Sequence, residues 1–254
     1  MLLLFFMIPS IFTNITNFSD YKFILNNEQV DIWYFPLTMS IPAAFLNYDE
    51  KKRAQSFYLI KHQRRFIVTR TMLRLIIAKY LNIKHNQIDF AYNKYGKPYI
   101  NNYPQLTFNV SHSENLAMIA IGRHYELGID LETLSTRHFL GIAKKMFSNH
   151  EGEELQKQPQ DLQQLAFFNI WVQKEAYIKA CGIGLSYPTK TFTVPVMPNT
   201  DTQVIDTITQ QNWRILSFIP QDNVCAAICV NPEINQVKYF KIQQLETIID
   251  IFLG

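Results

Sequence analysis

The chain has 254 residues, enough for one large domain or two smaller ones. Its 48% hydrophobic and 18% charged residues exclude a disordered chain or a coiled coil, and 14% aromatics supply a sizeable core. With 24 Lys and Arg against 21 Asp and Glu, the formal charge of +3 is too small to imply a nucleic-acid partner, although local basic clusters can still hold an anionic ligand.

Residues 2–8 form an apolar run of seven closed by Pro9. That is well short of the roughly 20 residues a membrane helix needs. No basic residue precedes the run and no small-residue cleavage pattern follows it, against a secretory signal. Residues 1–28 therefore read as a dispensable leader or the product of an upstream start codon, with the first strand at 30–35. The next stretch, 51–81, reads as mostly helix. Its Phe66, Ile67, Leu73, Ile76, Ile77 and Tyr80 recur at three-to-four spacing, and Asn82 stops it. Tyr95-Gly96-Lys97-Pro98 reads as a loop.

Residues 106–110 alternate as a strand, followed by strands at 116–121 and 127–132; the short gaps suggest a meander. Helices are expected at 138–147, 151–158 and 162–180, the last stopped by Cys181-Gly182 and Gly184. Strands at 213–218, 224–230 and 238–239 follow, then an apolar tail. Strands and helices interleave without a regular βαβ repeat, so the fold class is α+β, with a boundary suggested at Gly122-Arg123-His124. Cys181, Cys225 and Cys229 have no zinc-type or CxxC spacing and are odd in number, which places the chain in the reducing cytoplasm rather than among disulfide scaffolds.

Four short stretches could carry chemistry. In Asp130-Leu131-Glu132, strand alternation puts both carboxylates on one face, about 7 Å apart, as a half-site for Mg²⁺; a solvated strand face has the same pattern. On the helix Trp171-Val172-Gln173-Lys174-Glu175-Ala176-Tyr177-Ile178-Lys179, Glu175 and Lys179 share a face, suiting either a surface ion pair or a pocket wall. Asn109-Val110-Ser111-His112-Ser113 closes a strand in small polar groups and an imidazole, suited to a phosphate or to an ordinary turn. Ser111 and His112 cannot form a nucleophile–base pair, being neighbours on an extended chain. Lys51-Lys52-Arg53 with Arg64-Arg65 would be a solvated basic face.

Taken in order, Arg65, Gly96-Lys97-Pro98, Asn109-Val110-Ser111-His112-Ser113, Gly128-Ile129-Asp130-Leu131-Glu132 and Trp171-x-x-Lys174-Glu175-Ala176-x-x-Lys179 closely resemble the 4′-phosphopantetheinyl transferase family, in its larger surfactin-synthetase-activator type. The resemblance runs from about Val30 to the C-terminal region and leaves residues 1–28 outside. It implies two similar α/β halves, 29–122 and 123–254, related by a pseudo-twofold, with coenzyme A and Mg²⁺ in the cleft between them. The implied reaction moves 4′-phosphopantetheine from coenzyme A to a serine of an apo acyl, peptidyl or aryl carrier protein and releases 3′,5′-ADP.

By position, the resemblance makes Asp130, Glu132 and Glu175 the metal ligands. It puts Lys97 and Pro98 at the adenine and ribose end, and Ser111, His112, Lys174 and Lys179 on the phosphates. Arg65 and Arg53 would face the 3′-phosphate. Glu175 would take the serine proton, directly or through a metal-bound water, and Lys179 would protonate or screen the leaving group. The carrier supplies the nucleophile, consistent with the lack of an internal one. An internally duplicated chain needs no dimer to complete its cleft, so a monomer is expected, with no membrane partner. A Mg²⁺-dependent hydrolase of coenzyme A or nucleotide diphosphates, and a non-catalytic carrier-binding protein, are the alternatives.

Overall fold

Strand β2 (Gln29–Pro36) carries large apolar side chains on both faces, and both are buried. Val30, Ile32 and Tyr34 enter one core, while Trp33 and Phe35 enter another. Burial on both sides places β2 inside a sheet, not at its edge. The computed structural model describes residues 12–16, 21–135 and 139–243. In it, β2 is the centre of a five-stranded sheet ordered β1 (Phe12–Ile15), β11 (Gln236–Ile242), β2, β6 (Leu116–Arg123), β5 (Leu106–Ser113). Strand β11 runs parallel to both β1 and β2, and β6 runs antiparallel to β2 and β5.

A second, antiparallel sheet has the order β7 (Gly128–Thr133), β10 (Val224–Val230), β9 (Asn212–Gln221), β8 (Asp201–Ile205). Strands β3 (Phe90–Tyr92) and β4 (Pro98–Ile100) make a separate hairpin around Gly96, whose φ of +87° suits a residue without a Cβ. The helices are α1 (Tyr48–Gln55), α2 (Ile60–Leu81), α3 (Leu140–Met146), α4 (Asn149–Lys157) and α5 (Gln163–Cys181).

Three cores stack these elements. Met72, Leu75 and Ile76 of α2 pack on Trp33, Phe35 and Ile119 of the first sheet. Val172 and Ala176 of α5 pack among Cys225, Ala227 and Cys229 of the second. Between the sheets, Ile32, Tyr34, Met118 and Ala120 meet Ile129, Leu131, Ala226 and Ile228. The layer order is therefore helix, sheet, sheet, helix, a mixed α+β fold. Because Ile129 and Leu131 point into the inter-sheet core, Asp130 and Glu132 are turned toward α5, as strand alternation requires.

Several expectations are corrected. The mostly helical reading of 51–81 holds, but the stretch divides into two helices, because Glu50 in the first turn of α1 reaches back to Arg70 and Arg74 of α2 and the chain must fold over on itself at residues 56–59. The stop at Asn82 holds, in the left-handed conformation at φ 52°. The meander breaks after β6: β7 pairs with β10 and begins the other sheet. Strand β8 lies in the stretch that sequence left unassigned. Residue 138 and the apolar tail beyond 243 lie outside the described residues.

A clean division at residue 122 also fails, since β11 from the C-terminal part is paired between β1 and β2. Nor is the segment before residue 29 a mere leader where it is described. Phe12 is buried against Tyr34, Tyr239 and Phe218, and Tyr21 donates to the buried Asp31 at 3.0 Å. A chain beginning at Gln29 should lose the β1–β11 pairing, the buried Phe12 and Leu25, the Tyr21 and Phe23 rings packed on Trp33, and a hydrogen bond to a carboxylate, together about 5 kcal/mol or more. Its thermal midpoint should fall by roughly 10 °C. An unchanged midpoint in a melting experiment would return these residues to the status of a leader.

Candidate active site

Strand β7 and helix α5 touch at Gly128. A Cβ there would stand 2.1 Å from the Ala176 carbonyl oxygen and 2.3 Å from the Ala180 nitrogen, both backbone atoms that cannot move aside. Glycine is thus required by the close approach itself. The approach lets side chains from α5 reach those of β7: Lys179 Nζ lies 2.7 Å from Asp130 Oδ1 and donates to the Ile129 carbonyl at 3.2 Å.

The other flank of β7 is the edge of its sheet, and it is closed by side chains instead of a main-chain ladder. Asn109, Ser111 and Ser113 alternate along one face of β5. They accept hydrogen bonds from the backbone N–H groups of Ile129 (3.0 Å), Leu131 (3.4 Å) and Thr133 (3.1 Å). Each serine turns its own proton to the neighbouring carboxylate: Ser111 to Asp130 Oδ1 and Ser113 to Glu132 Oε2, both at 2.7 Å. The seam satisfies three N–H groups and orients two acids. It also corrects two readings. The Asn109–Ser113 stretch lies wholly within β5, ahead of the turn at residues 114–115. The Ser111 hydroxyl, donating to Asp130 and accepting from Leu131 and from Lys179 (2.9 Å), is engaged within the protein and not free for a phosphate.

Glu175 stands one turn before Lys179 on α5, yet Lys179 pairs with Asp130, so of the two readings of this spacing the surface ion pair does not form. Burial pushes the Glu175 carboxyl up to about 7, reinforced by the negative charges of Asp130 and Glu132 and opposed by Lys179. Glu175 Oε1 and Asp130 Oδ2 are buried without a hydrogen-bond partner among the described residues. Among the described residues no three acidic, histidine or cysteine side chains already form a closed metal cluster. Two orphaned carboxylate oxygens, in a set of three acids that repel one another and offer only oxygen, nevertheless fit a hard divalent cation such as Mg²⁺.

Cations gather beside these acids. His112, on the face of β5 opposite the seam, keeps a solvent-exposed edge, yet the surrounding protein and the charges of Lys179 and Arg65 hold its pKa below the ordinary imidazole value. Arg65 of α2 is steadied by Glu114 (3.2 Å) and Asn115 (3.4 Å) at the end of β5. Lys179, His112 and Arg65 therefore share one region with Asp130 and Glu175.

Other candidates lie elsewhere. Lys174 is 1% exposed, ion-paired with Glu151 at 2.9 Å and donating to the Thr189 and Phe192 carbonyls at 2.7 Å each. It cannot reach a ligand's phosphates, because one residue's rotation about α5 turns it from the cleft into the core. Burial draws its ammonium below the ordinary lysine value despite Glu151. Lys97 Nζ is bonded to Glu126, to the Leu127 carbonyl (3.2 Å) and to the Ala180 carbonyl (3.0 Å), where it caps the C-terminal end of α5. With Pro98 it lines a cavity of about 220 Å³ that also touches Asn93, Ile100, Leu106 and Phe108. Arg53 sits on α1 with its guanidinium over the Phe66 ring, exposed and linked to no other candidate. Burial pushes the Cys181 thiol up to about 11, which rules against a thiolate nucleophile.

Sequence reasoning gave Asn109 and Ser113 no role of their own within their stretch, and none to Glu151. The alternation of small polar groups at 109, 111 and 113 was the available signal for the first two. Glu151 had one as well: Ser148 lies three residues before it, a capping box that the structure confirms.

Comparison with known proteins agrees with the motifs. A family model described as the 4′-phosphopantetheinyl transferase superfamily matches residues 126–229, and one described as 4′-phosphopantetheinyl transferase, N-terminal, matches 36–124. The chain is 36% identical over 215 residues to the 4′-phosphopantetheinyl transferase HetI of Nostoc sp., covering 81% of this chain and 89% of that protein. It is 31% identical over 151 residues to the 4′-phosphopantetheinyl transferase Sfp of Bacillus subtilis, covering 59% and 66%. To the human L-aminoadipate-semialdehyde dehydrogenase-phosphopantetheinyl transferase it is 32% identical over 151 residues, covering 55% and 49%.

Two measurements check this geometry. Gly128→Ala should destabilise the protein by about 3 kcal/mol or more, since neither backbone can yield, and a soluble variant with an unchanged melting curve would contradict the contact. Glu175→Gln should raise the melting temperature in Mg²⁺-free buffer, because it removes a buried, repelled charge. The folded pKa of about 7 lies above the ordinary 4.5, so this group's contribution is favourable at low pH and lost as pH rises through 7. The gain should therefore be larger at pH 8 than at pH 5; an equal gain at both would contradict the electrostatic account.

Proposed function

The chain belongs to the 4′-phosphopantetheinyl transferase family, and from that premise we propose how its own residues move phosphopantetheine from coenzyme A to a carrier-protein serine. The observation that carries the reading is the meeting of Asp130, Glu132 and Glu175 with Lys179 where α5 closes on β7. Asp130, Glu132 and Glu175 would hold Mg²⁺, which when bound neutralises charge on the pyrophosphate and on the leaving diphosphate. Lys179, His112 and Arg65 bind and orient the phosphates of coenzyme A, and the cavity beside Lys97 and Pro98 receives its adenine and ribose end.

Glu175 accepts the proton of the incoming serine, directly or through a water, for which a raised pKa is an advantage in a general base. The serine oxygen forms the new bond to phosphorus as the bond to 3′,5′-ADP breaks, and Lys179 protonates or screens the departing oxygen. Lys174 has no part in this chemistry; it anchors α5 through Glu151. The two sheets, each backed by one long helix, are read as pseudo-twofold halves about a coenzyme A cleft, with β11 crossing from the second half into the first. Among the described residues no helix is long and apolar enough to cross a membrane. The reading takes the enzyme as a cytoplasmic monomer acting on an apo carrier protein.

Mass spectrometry of an apo carrier protein after incubation with coenzyme A and Mg²⁺ tests the reading. Transfer predicts a mass increase on the carrier and release of 3′,5′-ADP. Coenzyme A breakdown without that increase would mean hydrolysis, and neither would mean binding alone. Glu175→Gln should slow transfer by ~10²–10³ while coenzyme A still binds. Asp130→Ala should lose activity in a way that high Mg²⁺ partly restores. Lys174→Met should fail chiefly through lost stability, leaving Glu151 buried and unpaired at about 3–5 kcal/mol.

A further inference from the structure

We propose that Ser113 is a positioning residue for Glu132 and thereby for the metal site; the inference rests on the reading of Asp130, Glu132 and Glu175 as ligands. Ser113 is 9% exposed, and its hydroxyl is used in both directions. It accepts from the Thr133 N–H at 3.1 Å and donates to Glu132 Oε2 at 2.7 Å. An ionised carboxylate can only accept, so the hydroxyl's one proton goes to Glu132 while a lone pair takes the Thr133 N–H. The bond fixes one Glu132 oxygen as an acceptor already satisfied by the protein and sets the orientation of the other.

Asn109 supplies a contrast within the same seam. It accepts from the Ile129 N–H at 3.0 Å from an equivalent place on β5, yet the residue before Ile129 is Gly128, with no side chain, where the residue before Thr133 is Glu132. Loss of Asn109 removes a seam bond alone, whereas loss of Ser113 removes a seam bond and the support of an acid. Outer partners of ligating carboxylates typically govern metal affinity by 10–100-fold.

The test measures Mn²⁺ binding by calorimetry in the presence of coenzyme A, with thermal melting of each variant alongside. Ser113→Ala should weaken Mn²⁺ binding about tenfold or more, and Ser113→Thr, which keeps the hydroxyl, should restore it. Asn109→Ala should lower the melting temperature and leave Mn²⁺ affinity within about twofold of the parent, as expected when no ligand support is lost. If Ser113→Ala does not fold, Ser113→Cys, similar in shape but a weak donor, carries the same expectation of weakened binding. Wild-type Mn²⁺ affinity in Ser113→Ala or Ser113→Cys, with Glu132→Gln impaired, would overturn this inference alone. Absence of Mn²⁺ binding by the unsubstituted protein would overturn the metal reading and this inference together.

Discussion

Among the described residues strand β7 has a main-chain partner on one side only, β10, and everything at the site follows from how its other side is closed. A bare row of N–H groups at a buried edge would cost about 1–3 kcal/mol for each one left unsatisfied. Asn109, Ser111 and Ser113 remove that penalty without a further strand. A main-chain ladder would satisfy the same N–H groups but could not also hand a proton to each carboxylate. Hydroxyls do both, so one set of contacts joins the sheets and aims the acids.

From the opposite direction, Gly128 lets α5 come close enough for Lys179 to reach Asp130. The result is a concentration of like charge that stability alone would not select. Two carboxylate oxygens remain without partners among the described residues, and Glu175 is held far from its ordinary acidity. Such strain persists only where the surroundings are rigid. Lys174 with Glu151 pins α5 from the core side, and Lys97 and Asn93 bind the carbonyls of Ala180 and Gly182 at its end. Destabilising groups and the scaffold that tolerates them are thus neighbours on one helix.

Much of this was legible in sequence where a simple period governs. Asp130 and Glu132 could be placed on one face because a strand repeats every two residues, and the structure turns both toward α5. The phase of α5 could not be read, because the helix is apolar nearly all round and offers no hydrophobic stripe to orient it. Lys174 and Lys179 therefore looked alike, though one is locked in the core and the other meets Asp130. The polar alternation of Asn109, Ser111 and Ser113 resembled a turn because the same small residues form turns. The break between α1 and α2 depends on Glu50 meeting Arg70 and Arg74, and the parallel insertion of β11 depends on a partner about 200 residues away (Tyr239 opposite Ile32). Long-range contacts of this kind leave no local pattern.

The central claim is that the junction of β5, β7 and α5 is one site holding both a divalent cation and the phosphates of coenzyme A. Anomalous diffraction from a crystal grown with Mn²⁺ and coenzyme A tests it most directly. The account predicts a manganese peak within about 2.0–2.4 Å of oxygens from Asp130, Glu132 and Glu175, with the phosphates against Lys179, His112 and Arg65. A manganese peak away from those carboxylates, or coenzyme A bound with its phosphates elsewhere, would contradict it.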